Sequence, residues 1–269
     1  MSKLFIMAGT KGGIGKSLIA TLLADMAFDN KFRPVLFDCD DENHSLSNVY
    51  PENEKEIISF RVAMIGEGRK FFPLDKVVNE IVRIEHGKKK YPGDNAFLLD
   101  MKAGTSTGTM VWLRSFPFRK IKDLGIETYI VGVVTSEIDS CTTLLPWIHT
   151  YVKDDMAQLL KFIIVRNEVH GTDFRFFQKK IEEVLKMVDM TILSVRFPDF
   201  GTQYQTLLYQ YKTTFGRVAT KRTVINDEKQ FGFMDEHRFV VYYGEVTEAF
   251  KPIFAENRLP ASKGSVKDK

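Results

Sequence analysis

AGTKGGIGKS, at residues 8–17, lies between the apolar run Leu4–Met7 and a helical pattern over Leu18–Phe28. This order is typical of a strand, a loop and a helix. The three glycines after the first lysine allow the backbone to turn so that successive N–H groups point inward at an anion, and the helix that follows adds its positive end. The stretch therefore predicts a phosphate-binding loop.

Two side chains at the end of the loop suit a nucleoside triphosphate. Lys16 can reach the β- and γ-phosphates as a point charge, and the Ser17 hydroxyl is placed to ligate the Mg²⁺ that bridges them. Strand context, spacing and helix all agree with this interpretation. A glycine-rich turn with chance lysines is the alternative.

The loop departs from the general phosphate-loop pattern at two positions. Thr10 stands where that pattern has a glycine, and a second lysine, Lys11, opens the loop. The sequence KGGIGKS is the deviant Walker A motif, and with it the chain resembles the ParA/MinD family of P-loop ATPases. The resemblance implies that Lys11 crosses a dimer interface to the phosphates of the partner subunit.

Length and composition are ordinary for a globular α/β protein. The 269 residues suit a single P-loop ATPase domain at 1–260, followed by a disordered tail at 261–269. No apolar run approaches the ~18 residues of a membrane span. We also find no secretory signal, so we expect a cytoplasmic, DNA-associated protein. Cys39 and Cys141 are too few for a disulfide framework, and a net charge of +3 does not indicate a partner.

The order of the elements predicts a parallel sheet. The strand at 33–37 completes a strand–helix–strand unit, which is the right-handed crossover of parallel sheets. Further strands are predicted at 57–62, 96–100, 130–135, 162–165 and 191–195, and further helices at 74–85, 142–153, 203–211 and 238–254. The resemblance implies a three-layer P-loop NTPase fold, with a mainly parallel twisted sheet flanked by helices.

An acidic cluster follows the second strand. DCDDENHSL, at residues 38–46, has four acids within five residues at a sheet edge where ligands bind, and acids beside phosphates need a cation. A solvated acidic turn is the alternative. The resemblance implies that Asp40 orients the attacking water and that Asp38 lies near Mg²⁺. The DxDxxN pattern is also similar to the plasmid-transfer branch typified by StbB and TraL.

The apolar strand at 96–99 ends in Asp100, which has the form of a Walker B strand. The resemblance implies that Asp100 holds Mg²⁺ through water. Lys102 departs from the family, which often has proline or a small residue nearby, and its role stays open. Leu18 is a second departure, since the family commonly has a hydroxyl residue there that touches the α-phosphate.

The nucleotide base has candidate contacts at two later strand ends. The resemblance implies that Asn167 reads the adenine through its amide, with an ordinary turn asparagine as the alternative. Pro198 and Asp199, at the end of the next strand, are the other candidates.

The resemblance thus implies three sets of site residues. The catalytic set is Lys11, Lys16 and Asp40, and the metal set is Ser17, Asp38 and Asp100. The nucleotide set is Lys11, Gly12, Gly13, Ile14, Gly15, Lys16, Ser17, Leu18, Asn167, Pro198 and Asp199.

The C-terminal pattern Val246, Phe250, Ile253 and Phe254 is similar to the membrane-targeting helix of MinD. Pro252 interrupts this pattern, acids flank it and it is not terminal. We therefore expect these side chains to pack inside the protein rather than to bind lipid.

The function implied by the resemblance is a slow ATPase that binds ATP and Mg²⁺, forms an ATP-dependent homodimer and acts in plasmid partition, stability or conjugative transfer. Expected partners are non-specific DNA and an adaptor or stimulating protein. Two alternatives stay open. One is a nucleotide-binding module with little turnover, which Leu18 favours. The other is a metabolic ATP-dependent enzyme, which would need an acceptor pocket.

Overall fold

The computed structural model describes residues 1–9, 11–40, 43–51, 57–62, 74–87, 93–104, 106–151, 155–186, 192–222, 231–255 and 267–268. Within these ranges eight strands form one sheet. Their bounds are β1 Ser2–Ala8, β2 Arg33–Cys39, β3 Ile58–Arg61, β4 Asn95–Met101, β5 Ile126–Val134, β6 Leu160–Asn167, β7 Ile192–Phe197 and β8 Lys267–Asp268. The seven predicted strands correspond to β1–β7, whereas β8 was not predicted.

Eleven α-helices are described between and beside these strands. They are α1 Lys16–Asp29, α2 Ser45–Val49, α3 Asp75–His86, α4 Ser106–Arg114, α5 Phe118–Asp123, α6 Ile138–Tyr151, α7 Arg175–Phe177, α8 Glu183–Lys186, α9 Thr202–Gln210, α10 Phe215–Ala219 and α11 Phe233–Phe254. A π-helical segment, Gln178–Glu182, joins α7 to α8, and 3₁₀ turns lie at Asp155–Gln158 and Glu168–His170.

The strand order is β3-β2-β4-β1-β5-β6-β7-β8, and every described pair is parallel. The connection from β1 passes the neighbouring strand β4 and leads to β2. The connection from β4 passes β1 in the other direction and leads to β5. The loops after β1 and β4 therefore leave the sheet in opposite directions, which is the arrangement that opens a ligand crevice at the carboxyl ends of strands.

Two apolar cores lie on the two faces of the sheet, because side chains of alternate residues along a strand point to opposite faces. One core packs the sheet against α3–α8, and the other packs it against α1, α2 and α9–α11. The predicted three-layer α/β architecture is confirmed. Parallel strands covered on both faces explain why their sequences read as continuous apolar runs.

Several predicted boundaries differ from the structure. The helix predicted at 142–153 begins earlier, at Ile138, so Pro146 lies in its interior and not in its first turn. The hydroxyl of Ser140 donates to the Glu137 carbonyl at 2.7 Å and extends the helical turn upstream. Of the predicted tail, only Lys267–Asp268 is described, as a short strand beside β7; the other residues of 261–269 lie outside the described part.

Helix α11 carries the pattern that is similar to a membrane-targeting helix. Its side chains Val246, Phe250, Ile253 and Phe254 are all buried in the core with α1, as expected for packing. None of the described helices combines the length and apolarity needed to cross a membrane.

Helices α1 and α10 approach closely at one point. The Asp25 side chain of α1 is fully buried and accepts a hydrogen bond from the Gly216 backbone N–H at 3.0 Å. A Cβ at position 216 would lie 2.6 Å from the Asp25 Cβ. Only glycine fits at position 216, because a Cβ there would collide with the Asp25 side chain. Burial raises the pKa of Asp25 to about 6, against the opposing effects of Thr214, Arg222 and Tyr50.

We predict that Gly216→Ala destabilises the protein by roughly 1–3 kcal/mol, because the added methyl group forces α1 and α10 apart. Gly244→Ala is the matched control. Gly244 is also helical, and nothing lies within 4 Å of a Cβ there, so alanine should be neutral or stabilise by up to about 1 kcal/mol. Urea unfolding of both variants measures the difference, and equal free energies of unfolding would contradict the close approach.

Candidate functional site

The predicted phosphate loop connects β1 to α1 through left-handed backbone. Gly13 has φ +73° and Gly15 has φ +90°, a region that costs side-chain-bearing residues free energy. Gly15 is also the N-cap of α1, and its carbonyl accepts the first helical hydrogen bond from the Ile19 N–H at 3.0 Å. The loop therefore ends directly at the positive end of a 14-residue helix, as an anion site requires.

Lys16 brings a cation into the base of this loop. Its side chain is only 7% exposed, and Nζ donates to the Lys11 carbonyl at 2.8 Å. Burial lowers the pKa of Lys16, while the charges of Asp100 and Asp40 act in the opposite direction. A buried ammonium between carboxylates is a group that an incoming phosphate can partner.

Asp38 and Asp40 end β2 beside the loop, and their carboxylates organise the chain that follows. Asp38 is fully buried. Its Oδ1 accepts from the Asp40 N–H at 3.1 Å, and its Oδ2 accepts from the Ser47 N–H of α2 at 2.8 Å. The Asp40 carboxylate accepts from both the backbone and the side chain of Asn43, at 3.2 and 3.1 Å. Among the described residues of the acidic cluster, Asp38 and Asp40 therefore bind the start of the segment that leads to α2.

Asp100 lies directly beside Asp38, because the two residues are register partners on β4 and β2. Burial raises the pKa of Asp100 to about 7, and the nearby carboxylate of Asp38 adds to the rise. The Ser17 hydroxyl and the Lys16 ammonium act against it. Among the described residues, neither Asp100 oxygen has a partner that meets hydrogen-bond geometry. A buried carboxylate without a hydrogen-bond partner is stabilised when it binds a cation.

The donor set fits Mg²⁺. A hydroxyl and two buried carboxylates are oxygen ligands, and proteins usually bind Mg²⁺ through one or two carboxylates, phosphates and water. Among the described residues, no group of three His, Cys, Asp or Glu side chains could hold a metal ion. Ser17, Asp38 and Asp100 are the residues that would hold the ion beside a bound phosphate.

The structure brings Asn167 to the phosphate loop. Its side chain is 2% exposed, its Nδ2 donates to the Ile14 carbonyl at 2.9 Å, and its Oδ1 accepts from the Val169 N–H at 3.2 Å. The amide that we expect to read adenine therefore bonds to the chain itself. It also closes over Gly15, where a Cβ would lie 2.5 Å from Nδ2.

Three other predicted nucleotide contacts have partners inside the chain. The Pro198 carbonyl accepts from the Tyr242 hydroxyl at 2.6 Å, and the exposed Asp199 accepts from the Gly201 N–H at 2.9 Å. Leu18 is partly buried and packs against the core around α1.

Sequence reasoning missed Glu137, which follows β5 by three residues. Its Oε2 lies 2.7 Å from the Lys11 Nζ, and both side chains are partly exposed. The Lys11 ammonium holds the pKa of Glu137 below its ordinary value. The available signal was an acid at the carboxyl end of the strand next to β1, since that position faces the loop.

Glu137 also belongs to a ring of contacts around the loop. Ser136, its neighbour, donates to the His170 carbonyl at 2.7 Å. His170 is the last residue of the 3₁₀ turn Glu168–His170. Asn167 caps the start of this turn, where its side chain accepts from the Val169 N–H, and its amide also donates to the Ile14 carbonyl. The two ends of the loop, Lys11 and Ile14, are thus connected through the ends of β5 and β6.

Taken together, the site has a glycine turn with left-handed backbone at Gly13 and Gly15, a buried ammonium, a hydroxyl and two adjacent buried carboxylates. This arrangement can hold the phosphates of a nucleotide together with a divalent cation. Gly12 and Gly13 form the exposed rim of the turn.

A family model described as "CobQ/CobB/MinD/ParA nucleotide binding domain" matches residues 5–200. The match includes the loop, both acidic strand ends and Asn167. Comparison with curated proteins gives no match.

Solved structures that are similar to this chain include MinD-type and partition proteins. The MinC:MinD cell division complex of Aquifex aeolicus has a TM-score of 0.50 and 13% identity, over 92% of this chain and 96% of that one. MinD of Pyrococcus horikoshii with Mg-ADP has a TM-score of 0.49 and 15% identity, over 96% and 100% of the chains. A plasmid partition protein of Borrelia burgdorferi bound to AMPPNP has a TM-score of 0.48 and 15% identity, over 91% of this chain and 98% of that one.

We predict that Gly15→Ala weakens nucleotide binding more than Gly13→Ala does. Alanine is strained at both positions by roughly 1–3 kcal/mol because both have positive φ. Only at position 15 would the methyl group also collide with Asn167, since nothing lies within 4 Å at position 13. Calorimetric titration with Mg·ADP measures both affinities.

The double variant Gly15→Ala/Asn167→Ala isolates the collision. It should bind nucleotide more tightly than the sum of the two single losses predicts, since removing the amide relieves the overlap. Strictly additive losses would show that Asn167 does not close over the loop.

Proposed function

The chain belongs to the CobQ/CobB/MinD/ParA family of nucleotide-binding domains, and on this basis we propose that it is a slow ATPase that dimerises when ATP is bound. The observation that carries the proposal is the second lysine. Lys16 already supplies the buried cation of its own loop, whereas Lys11 lies at the partly exposed mouth, paired with a carboxylate and not with the interior of the site. A lysine side chain in this position can extend to the phosphates bound by a facing subunit.

Each site residue has a role in this proposal. The loop N–H groups and Lys16 bind the β- and γ-phosphates, while Ser17, Asp38 and Asp100 hold Mg²⁺. The ion, when bound, neutralises charge that develops on the phosphates. Asp40 orients the attacking water, and Lys11 of one subunit stabilises the transferred phosphoryl group in the other, as arginine fingers do when supplied in trans.

Lys11 can act in trans only after it leaves Glu137. The ion pair lies at the surface, where exposed pairs contribute little to stability. A triphosphate presented by a second subunit offers a higher negative charge than a single carboxylate, so exchange of partners is favourable once two ATP-bound chains meet. Hydrolysis removes the γ-phosphate and returns the chain to the monomer.

We infer that the switch serves plasmid partition, plasmid stability or conjugative transfer. The acidic pattern after β2, similar to that of StbB and TraL, supports this role. Partners would be an adaptor or stimulating protein and DNA, bound without sequence preference through Lys and Arg side chains. We place the protein in the cytoplasm, associated with DNA when dimeric.

A binding module with little turnover is the second candidate. The observation in its favour is Leu18, since an apolar side chain packed on the core offers no hydroxyl to the α-phosphate. A metabolic ATP-dependent enzyme on the same scaffold stays a weaker alternative, because a second lysine at the mouth of the loop, paired with Glu137, has a clear use only when a partner subunit faces it.

Two substitutions separate nucleotide binding from turnover. We expect Lys16→Ala to abolish binding of Mg·ATP, because the cradle loses its buried cation. We expect Asp40→Ala to keep nucleotide affinity within a few-fold and to stop phosphate release. Titration calorimetry and a phosphate-release assay measure the two quantities. Asp40→Ala with normal hydrolysis would mean that another residue positions the water, and unchanged affinity in Lys16→Ala would exclude the site.

The dimer proposal is tested by sizing the protein without nucleotide, with ADP and with ATP, each with and without DNA. Wild type should dimerise with ATP only, whereas Lys11→Ala should bind ATP as a monomer and hydrolyse it roughly 10³-fold more slowly. Glu137→Gln, which removes the carboxylate that holds Lys11, should dimerise at a lower protein concentration than wild type.

Lys120→Gln, on the surface of α5, is the control for loss of one positive charge. Lys11→Ala that still dimerises on ATP, with activity simply proportional to the wild-type subunits in mixtures, would rule out a crossing lysine. Dimers without turnover in the wild type would instead favour the binding module.

A further inference from the structure

A second concave site lies beside helix α2. Its walls come from α2, the end of β3, the turn after α9 and helix α10, and it encloses about 600 Å³. Ser47, Asn48, Arg61, Lys212 and Arg217 are its polar lining residues. We call it the basic cleft.

The charges of the basic cleft are of one sign. Arg61, Lys212 and Arg217 come from three separate elements, and none of the described lining residues is an acid. Three cations that converge on one cleft repel each other, and an anion between them relieves that repulsion. The arrangement favours a ligand with two or more negative charges.

Arg217 is fixed in place before any ligand arrives. Its guanidinium stacks over the Tyr50 ring, 4.5 Å from the ring centre, and its Nη1 donates to the Val49 carbonyl at 3.0 Å. A guanidinium has five N–H donors in a rigid fork that matches the oxygens of a phosphate. Little conformational entropy is therefore lost when it binds one.

Ser47 adds a buried hydroxyl to the wall of the cleft. The residue is 3% exposed, and its Oγ has no hydrogen-bond partner among the described residues. Buried polar groups in proteins are nearly always paired, so the unpaired Ser47 hydroxyl can donate to an acceptor that enters the cleft and draws the side chain outward. Phosphate oxygens are such acceptors.

We propose that the basic cleft binds a small phosphate-bearing anion, separate from the nucleotide held by the loop. A concave volume of this order, with three cations converging on it from separate elements, suits a small molecule. The phosphate backbone of a nucleic acid would instead need an open stripe of cations. The favoured ligand is therefore a phosphate monoester or a related small polyanion.

The basic cleft is one contact away from the nucleotide site. Ser47, in its wall, donates its N–H to the Asp38 carboxylate at 2.8 Å. Arg61 is the register partner of Asp38, and the next residue, Val62, donates its N–H to the Asp38 carbonyl at 2.8 Å. An anion that draws Ser47 and Arg61 together acts on the residues that hold Asp38. Its affinity should therefore depend on which nucleotide occupies the loop, and by linkage the reverse holds too.

The test uses inorganic phosphate as the probe, titrated into the full chain with the loop saturated by Mg·AMPPNP so that the loop cannot take up phosphate. We expect one saturable site in the wild type. Arg61→Gln/Lys212→Gln should weaken it at least about tenfold, since two charge-assisted contacts are lost. Arg217 is not substituted, because its hydrogen bond to the Val49 carbonyl supports the end of α2. Lys179→Gln/Lys180→Gln, on an exposed π-helical segment, removes the same charge elsewhere and should leave the affinity unchanged.

Circular dichroism and thermal unfolding check that each variant folds, and the titration is repeated with Mg·ADP. Phosphate affinity that is the same with both nucleotides would overturn the link to Asp38. Absence of saturable binding, or equal loss in the control pair, would overturn the site. Binding of a 30-base-pair duplex that falls in the cleft variant, while phosphate binding does not, would make the basic cleft part of a nucleic-acid surface and contradict the proposal.

Discussion

A buried ammonium group is the constraint on which the site depends. Lys16 sits in the first turn of α1 with almost no exposure, and an isolated charge in that position would be very unfavourable. The Lys11 carbonyl and the charges of Asp40 and Asp100 offset the cost. The loop must curve so that this carbonyl faces inward, and the strand ends must bring their acids close. The curvature of the loop and the acids at the ends of β2 and β4 thus act together to stabilise one buried charge.

Much of this could be predicted from the sequence because it is local. Glycines in a fixed spacing specify left-handed turns, and apolar runs that end in aspartate specify strand ends. Asp38 and Asp100 accordingly lie side by side as register partners at the ends of β2 and β4, and their role as Mg²⁺ ligands stays a prediction. In contrast, nothing local marks Gly216 as the point where α10 meets Asp25, since that contact joins residues far apart in the chain.

The side-chain partners were harder to predict than the positions. Asn167 was placed at the site from its position at a strand end, but its bond to the Ile14 carbonyl depends on the curvature of a loop 153 residues away. Glu137 was missed because an exposed acid in a connecting turn looks like ordinary surface. Pro198 and Asp199 were predicted from family position alone, and their described partners, Tyr242 and Gly201, reflect packing of α11 and local turn geometry.

The ring of contacts from Lys11 through Glu137, His170 and Asn167 to Ile14 joins three segments that are far apart in sequence. Residues that share a network do not contribute independently, and their effects on stability are not additive. Evolution should therefore treat these positions as one epistatic unit. An exchange at position 137 or 167 is tolerated only on a background that has already adjusted the others, so the order in which substitutions arise decides which variants of this loop are accessible.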